Sequence, residues 1–247
     1  MRLTRIYQPQ PLCTDDLINL SKAAAHHLVG VLRATVGSEF TLFNGEGGEF
    51  LAKIVSIEKN SVSVQVGEYS QITRESPLQI VLGQAISRPE RMDYTLQKAV
   101  ELGVTRIVPL LVEHSCIKLS MERWKKRLLH WQAVVLAACE QSGRTQIPSV
   151  SQPIPLVVAV NEIKADIRAI LIPTAVQAIS KLKSSAPRVV IFVGPEGGWS
   201  KTEISLAIAA GCVPICLGPR ILRTETAGLV AITLFQGAFG DISLNLV

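Results

Sequence analysis

Two glycine-containing turns near the C-terminus carry the residues best suited to ligand chemistry. The first, VGPEGGWSKTE, follows the apolar run Arg188–Val193, which is typical of a buried strand. Ser200 and Glu203 then form a capping-box pattern, so a helix begins there, and Gly211 is suited to end it. The glycines of the first turn therefore lie between a strand and a helix, where α/β sheets usually bind ligands.

The second turn lies in LGPRILRTETAG, between a short apolar run and a helix predicted to begin near Thr224. Consecutive strand–turn–helix units bring their turns to the same edge of a parallel sheet. The two turns together offer backbone amides and carbonyls, the cations Arg220 and Arg223, and the carboxylate of Glu225. Such a groove suits a ligand with a flat ring, ribose hydroxyls and no phosphate. S-adenosylmethionine (SAM) fits that description.

Two phosphate-binding patterns are disfavoured by their spacing. A phosphate-binding loop needs a glycine directly before its Lys-Ser/Thr pair, but Ser200 stands before Lys201-Thr202. Gly194, Gly197 and Gly198 also lack the Gly-x-Gly-x-x-Gly spacing of a dinucleotide site. For either turn taken alone, simple packing of a helix on a sheet stays open as an alternative.

The composition indicates a folded protein, and its net positive charge is compatible with binding to nucleic acid. The chain has 25 basic and 20 acidic residues, a net charge of +5, and 48% apolar residues without a low-complexity tract. No apolar stretch reaches transmembrane length without a charge or breaker, and MRLTRIYQPQP lacks the apolar core of a signal peptide. The five scattered cysteines are expected to be reduced thiols in a cytoplasmic protein, with no metal site.

The N-terminal part differs in pattern from the rest of the chain. A helix is predicted after Ser21, with Ala24, Leu28, Val31 and Leu32 on one face. Strand-like runs follow on both sides of a tight turn at Asn44-Gly45, and SVSVQVGEY alternates as antiparallel strands do. We interpret residues 1–72 as a small β-barrel-like domain that ends at the linker SQITRESP.

Strands and helices alternate from Leu78 onwards, which predicts an α/β domain with a mostly parallel sheet over residues 73–247. The predicted strands are LQIVLGQAI, RIVPLLVE, IRAILI, VVIFV and VPICLG, and the predicted helices cover 90–102, 120–141, a short segment after Pro155, 204–210 and 225–238. The last helix is apolar nearly all round and must be covered on every face. This predicts a homodimer, with burial inside the domain as the alternative.

Three motifs, AACEQSGR, VGPEGGWSKTE and LGPRILRTETAG, occur in this order and resemble the RsmE-type 16S rRNA uracil-N3 methyltransferases of the SPOUT superfamily. The segment AAHHLVGVLRATVGSEFTLFNGEGGEF is similar to that family's PUA-like RNA-binding domain, and RMDYTLQKAVELGV is similar to the opening of its catalytic domain. The resemblance covers essentially the whole chain. It implies a SPOUT methyltransferase domain with a C-terminal trefoil knot, preceded by a PUA-like β-barrel. Sequence rules alone argue against a knot.

The resemblance also implies a SAM-dependent enzyme that modifies the decoding region of 16S rRNA within the small ribosomal subunit, and that works as a homodimer. SAM would be bound by three loops. The implied cofactor residues are Ile172, Pro173, Thr174, Gly194, Glu196, Gly197, Gly198, Leu217, Gly218, Ile221, Leu222, Arg223, Glu225, Thr226 and Ala227.

Uracil N3 is a poor nucleophile until its proton leaves, so the site needs a base or a cation that stabilises negative charge on the ring. We hypothesise that Arg223 lies near the transferring methyl group or the uracil carbonyls. Gln141 offers both a donor and an acceptor to the pairing edge, and Glu140 is the candidate to take the proton. An ordinary salt bridge from Glu140 to Arg144 is the alternative.

Because N3 lies on the pairing edge, the target uridine must be unpaired or turned out of a helix. The predicted RNA contacts are Arg5, Arg33, Arg88, Arg91 and Arg144, with simple solvation as the alternative for each. Three rival functions remain open: a SPOUT enzyme acting on another RNA or at a ribose 2′-hydroxyl, a non-catalytic RNA-binding assembly protein, and a nucleotide-dependent enzyme.

Overall fold

The computed structural model describes residues 3–59, 61–114, 120–177, 179 and 188–242. The chain divides into two compact units, one of Met1–Glu75 with Cys139–Ile147 and one of Ser76–Ala138 with Pro148–Val247. The sequence-based boundary at 72/73 differs from this division, because it leaves residues 139–147 with the second part of the chain. That segment joins the first unit through contacts between residues far apart in sequence, which local patterns do not reveal.

The first unit is built on a five-stranded sheet in the order β1-β3-β4-β5-β2. β1 pairs with β3 in parallel and the other neighbours are antiparallel, so β1 and β2 are the edge strands. In the described part of the chain, the strands of the predicted barrel-like domain therefore form an open sheet with two edge strands. The strands are β1 Arg5–Tyr7, β2 Leu17–Asn19, β3 Glu39–Phe43, β4 Glu49–Ile57 and β5 Val62–Ser70.

A short helix, α1 (Lys22–Ala25), begins as predicted, because the Ser21 hydroxyl accepts a hydrogen bond from the Ala24 amide. The chain then continues as the π-helical turn His26–Val31. Ala24 and Leu28 are buried in the core of this unit. Val31 and Leu32, predicted on the same face, are exposed, because the wider π turn breaks the 3.6-residue period.

The second unit contains a parallel sheet, as predicted, in the order β12-β10-β11-β6-β7-β8, with β9 also paired to β7. The short strands β8 and β9 were not predicted, because two residues give no periodic pattern. The strands are β6 Gln79–Ala85, β7 Val104–Leu111, β8 Ser149–Val150, β9 Ile154–Pro155, β10 Ile167–Leu171, β11 Arg188–Val193 and β12 Val213–Ile215.

Helices lie on both faces of this sheet. Val190 and Phe192 of β11 pack in the cluster that contains α4 and α5, whereas Val193 lies close to Gly228 of α6. α6 also contacts α2 and β6. The helices are α2 Pro89–Glu101, α3 Met121–Ser142, α4 Leu156–Glu162, α5 Lys201–Ala209 and α6 Thr224–Phe239.

The apolar helix α6 buries one face against its own unit, through Ala231, Ile232 and Phe235 among others. Gln236 is also buried there, where it donates to the Leu102 carbonyl at 2.9 Å and accepts from the Ser76 hydroxyl at 2.7 Å. Leu234 on another face is exposed. The homodimer expected from this helix stays a prediction.

No helix within the described ranges is both long and apolar enough to cross a membrane.

Candidate cofactor cavity and catalytic residues

A cavity of about 520 Å³ lies in the second unit, at the carboxyl ends of β10, β11 and β12. These strands are parallel neighbours, with Ile170 opposite Phe192 and Leu171 opposite Ile215, so the loops that follow them meet at one edge. The volume lies within the range of small-molecule sites. The walls come from Arg91, Ile204 and most of the residues in the ranges 171–174, 193–199 and 215–227.

All of the predicted cofactor residues except three line this cavity. Gly197 instead faces His114, and a Cβ on Gly197 would stand 3.2 Å from the His114 Cβ. Glu225 directs one carboxylate oxygen towards Arg91, and Thr226 is exposed. The structure therefore brings the three predicted loops to one cavity, whereas SAM contacts by individual residues stay a prediction.

Trp199 connects two of the loops. Its indole N–H donates to the Leu171 carbonyl at 3.1 Å, and its ring covers Gly194 so closely that a Cβ there would lie 3.1 Å from the ring. Trp199 also lines the cavity, a role that was not predicted from the sequence. An aromatic residue directly after the glycine turn was the available signal.

Thr224 fixes the third loop against the second. Its hydroxyl donates to the Gly194 carbonyl at 2.6 Å and accepts from the Gln84 side-chain amide at 2.9 Å. Gln84 is fully buried in β6, whose other glutamine, Gln79, lies exposed at the start of the strand. That departure from the apolar pattern was the sequence signal for a polar contact at this edge, and it was missed.

The capping box that precedes α5 is confirmed. The Ser200 hydroxyl accepts from the Glu203 amide at 3.2 Å, and the Glu203 carboxylate accepts from the Ser200 amide at 2.9 Å. The other Glu203 oxygen accepts from the Glu113 amide at 2.9 Å. The helix therefore begins at Lys201 rather than at residue 204, and the buried Glu203 carboxylate has a structural role.

Arg91 lies at the cavity wall between two carboxylates. Its Nη1 donates to Glu196 Oε1 at 3.0 Å, and its Nε lies 3.9 Å from Glu225 Oε1. The predicted RNA contact Arg91 is thus already paired with acidic groups. Arg33 and Arg88 are both exposed to solvent, and their RNA contacts stay predictions.

Glu140 and Gln141 belong to the first unit, whereas Arg223 lines the cavity of the second. Glu140 Oε1 accepts from the Tyr7 amide at 3.0 Å, and Oε2 lies 3.5 Å from His27 Nδ1. Burial raises the pKa of the Glu140 carboxyl, and the Tyr7 hydrogen bond offsets part of that rise. Gln141 is exposed. Joint action of these residues in catalysis stays a prediction.

Arg5 and Arg144 are both buried in the first unit, and each forms an ion pair with a carboxylate. The Arg5 guanidinium pairs with Glu49 and donates to the Arg144 carbonyl at 3.0 Å. The Arg144 guanidinium donates to Glu75 at 2.6 and 2.9 Å. Their burial argues against the predicted phosphate contacts of Arg5 and Arg144, because a phosphate would have to displace these carboxylates. The alternative of an ordinary salt bridge at Glu140 stays open, with His27 as the neighbour at 3.5 Å.

Metal ligands do not cluster in the described residues: no group of three His, Cys, Asp or Glu side chains could hold an ion. Cys13, Cys139, Cys212 and Cys216 are free thiols, and Cys116 lies outside the described residues. Burial raises the pKa of the Cys139 thiol to about 12, so this thiol stays protonated and unreactive.

Comparison with known proteins decides the family. A family model described as an RNA methyltransferase domain matches residues 74–236, and one described as an RNA methyltransferase PUA domain matches residues 20–67. A ribosomal RNA small subunit methyltransferase E from Buchnera aphidicola is 37% identical over 245 residues, which cover 98% of this chain and 99% of that protein. The chain belongs to the ribosomal RNA small subunit methyltransferase E family.

Solved structures from relatives agree with this membership. A methyltransferase of Legionella pneumophila, solved in complex with the bound cofactor SAM, is 42% identical with a TM-score of 0.96. The ribosomal RNA small subunit methyltransferase E of Neisseria gonorrhoeae, bound to S-adenosyl methionine, is 37% identical with a TM-score of 0.92. Each match covers 98% of this chain and 100% of the other. The predicted family is confirmed, as is the combination of an α/β methyltransferase domain with a PUA-like domain.

Proposed function

We propose that this protein transfers a methyl group from SAM to N3 of a uridine in the decoding region of 16S rRNA, within the small ribosomal subunit. The observation that carries the proposal is the cavity at the ends of β10, β11 and β12. It occurs in a chain whose relatives are named for small-subunit rRNA methylation and have been solved with SAM. The N3 atom and the decoding region rest on the motif resemblance.

The residues around the cavity suit SAM. Its walls are mostly apolar side chains and loop backbone, as an adenosine group requires. Gly218 has a φ of 113°, which disfavours any side chain, and open space surrounds the position of a Cβ there. When bound, SAM supplies a methyl group activated by its sulfonium. The chain's own task is to hold the two reactants in line.

Deprotonation of uracil N3 falls to Glu140 in this proposal. The raised pKa of its carboxyl makes it a stronger proton acceptor than an ordinary glutamate. Arg223 would stabilise negative charge on the uracil ring, and Gln141 would bind its pairing edge. Glu140→Gln should greatly reduce turnover and leave the affinity for SAM unchanged, measured by single-turnover methylation and calorimetry. Full turnover in that variant would limit Glu140 to its contacts with Tyr7 and His27.

The remaining expectations about assembly belong to the same proposal. We infer a trefoil knot formed by the C-terminal segment, a homodimer that covers the exposed part of α6, and a cytoplasmic location. The PUA-like domain would bind RNA, with Arg33 of the first unit and Arg88 of the second as exposed phosphate contacts. Light scattering of the purified protein would test the dimer.

The decisive experiment incubates the protein with radiolabelled SAM and unmodified small ribosomal subunits, then identifies the labelled nucleoside after RNA digestion. Label in 3-methyluridine would support the reaction, the acceptor atom and the substrate class together. Label in another nucleoside would retain a methyltransferase and reject the N3 assignment. Failure to bind SAM would favour a non-catalytic RNA-binding protein.

A further inference from the structure

The charged side chains of the cavity wall are unevenly arranged. Among the described residues that line it, Arg91, Arg220 and Arg223 are cationic and Glu196 is acidic. Arg220 and Arg223 are exposed and form no ion pair with a described residue. Among the described residues of this wall, Arg91 and Glu196 are the cation and carboxylate that lie side by side, 3.0 Å apart.

Arg91 keeps most of its hydrogen-bonding capacity in this arrangement. A guanidinium has five N–H donors, and here one hydrogen bond goes to Glu196. Glu225 Oε1 lies 3.9 Å from Arg91 Nε, and the Glu225 side chain is only 13% exposed. Glu225 lies in the first turn of α6, where the helix dipole favours a carboxylate. Glu225 is therefore a second acidic neighbour of Arg91 besides Glu196.

The charges of this group complement one end of SAM. Arg91, Glu196 and Glu225 sum to a net charge of −1, because one cation faces two carboxylates. The amino-acid end of SAM carries an α-ammonium and an α-carboxylate on one carbon, and its sulfonium brings the molecule's net charge to +1. A cation and a carboxylate in contact can receive such a zwitterion as two charge-assisted hydrogen bonds.

We propose that Arg91 and Glu196 form the binding point for the amino-acid end of the cofactor. Arg91 donates to the α-carboxylate, and Glu196 accepts from the α-ammonium. Glu225 positions Arg91. This inference rests on the proposed function, since it assumes that the cavity binds SAM.

Two other roles explain the contacts less well. As a stabilising ion pair, Arg91 and Glu196 would contribute little, because partly exposed pairs are screened by water. As an RNA contact, Arg91 would meet a phosphate beside two carboxylates, whose negative charge repels it. A zwitterion avoids this repulsion because its ammonium group faces Glu196.

Calorimetric titration of the full-length protein tests the inference. S-adenosylhomocysteine carries the amino-acid end, and 5′-methylthioadenosine lacks it while keeping the adenosine. Arg91→Ala should weaken binding of S-adenosylhomocysteine about tenfold to a hundredfold, as expected for hydrogen bonds to charged groups. Its affinity for 5′-methylthioadenosine should change less than about threefold. Glu196→Gln, which conserves shape, should show the same selectivity.

Arg188→Ala is the matched control. Arg188 pairs with Asp166 at 3.5 Å at the opposite end of β11, so its loss should leave both affinities unchanged. The decarboxylated analogue of S-adenosylhomocysteine separates the two roles, since its binding should depend on Glu196 and no longer on Arg91. Unchanged binding of S-adenosylhomocysteine by Arg91→Ala, or an equal loss for both ligands, would overturn the inference. A wild-type protein that binds neither ligand would overturn the proposed function as well.

Discussion

Replacement of Glu75 should be among the most damaging single substitutions in the first unit. Glu75 Oε2 accepts from Nε and Nη2 of Arg144 at 2.9 and 2.6 Å. Glu75 Oε1 accepts from the amides of Thr145 and Gln146 at 3.0 and 3.1 Å. The side chains of Glu75 and Arg144 are 12% and 5% exposed. The Glu75 carboxylate thus links the segment 139–147 to the rest of the unit through hydrogen bonds to Arg144, Thr145 and Gln146.

The expected magnitude follows from burial. Removal of one partner from a buried ion pair costs about 3–5 kcal/mol. Thr145 is fully buried, so the loss of its acceptor adds to this cost, whereas water can replace the acceptor of the exposed Gln146. We therefore expect Glu75→Ala to lower the free energy of unfolding by about 4 kcal/mol. Glu75→Gln keeps an acceptor oxygen for the amides and should cost about half as much.

Urea unfolding of the full-length protein measures this loss. With a denaturant dependence of about 2 kcal/mol per molar urea, the midpoint should fall by about 2 M. Hydrogen exchange adds a local reading, because the Thr145 amide should lose protection. Glu39→Gln is the control, since Glu39 is 51% exposed and lies 4.0 Å from Lys53. A loss below about 1 kcal/mol in Glu75→Ala, or full protection at Thr145, would refute the reasoning.

Two further substitutions test packing and charge. A Cβ on Gly228 would lie 3.2 Å from Gln84 Oε1 and 3.6 Å from Val193 Cγ2. Gly228→Val should therefore force α6 away from the sheet and lower the free energy of unfolding by about 1–3 kcal/mol, measured by calorimetric unfolding. Gly228→Ala should cost less because the flexible end of Gln84 can shift, and equal melting temperatures for both variants and wild type would contradict the close approach. Burial raises the pKa of Glu140 above its ordinary value of 4.5, so the folded state binds this proton more tightly than the unfolded state does. The resulting stabilisation is present below that value and is lost as pH rises through the folded pKa. The free energy of unfolding of wild type minus that of Glu140→Gln should therefore fall as pH rises from about 4. A difference that does not change with pH would contradict this expectation.

Local signals predicted much of the second unit. Ser200 and Glu203 mark the start of α5, and Gly211 after its end has a φ of 87°, as a helix-ending glycine requires. The apolar runs predicted five of its parallel strands, because strands buried on both faces consist mostly of apolar residues. The consecutive strand–turn–helix units predicted that two of the cavity loops share one sheet edge, and the resemblance supplied the third loop.

The first unit was harder to predict because its charged residues are paired over long sequence separations. Arg5 meets Glu49, and Arg144 meets Glu75, at separations that no periodicity encodes. In the sequence, a basic residue whose acidic partner is far away along the chain cannot be distinguished from a solvated side chain or a phosphate contact. The π turn after Ala25 was also missed, since its sequence has the same apolar spacing as an ordinary helix.

The cavity is assembled from segments that leave the ribosome at different times. Arg91 emerges first, followed by the loop residues 171–174, then residues 193–199, and residues 215–227 last. β12 and β11 flank β10 in the sheet, although both follow it in the chain. A nascent chain that has not reached Ala227 therefore lacks one wall of the cavity. A ligand of this site can stabilise only chains synthesised beyond that point, because binding contributes to folding only where the native site exists. The cofactor would thus favour finished molecules over partly made ones.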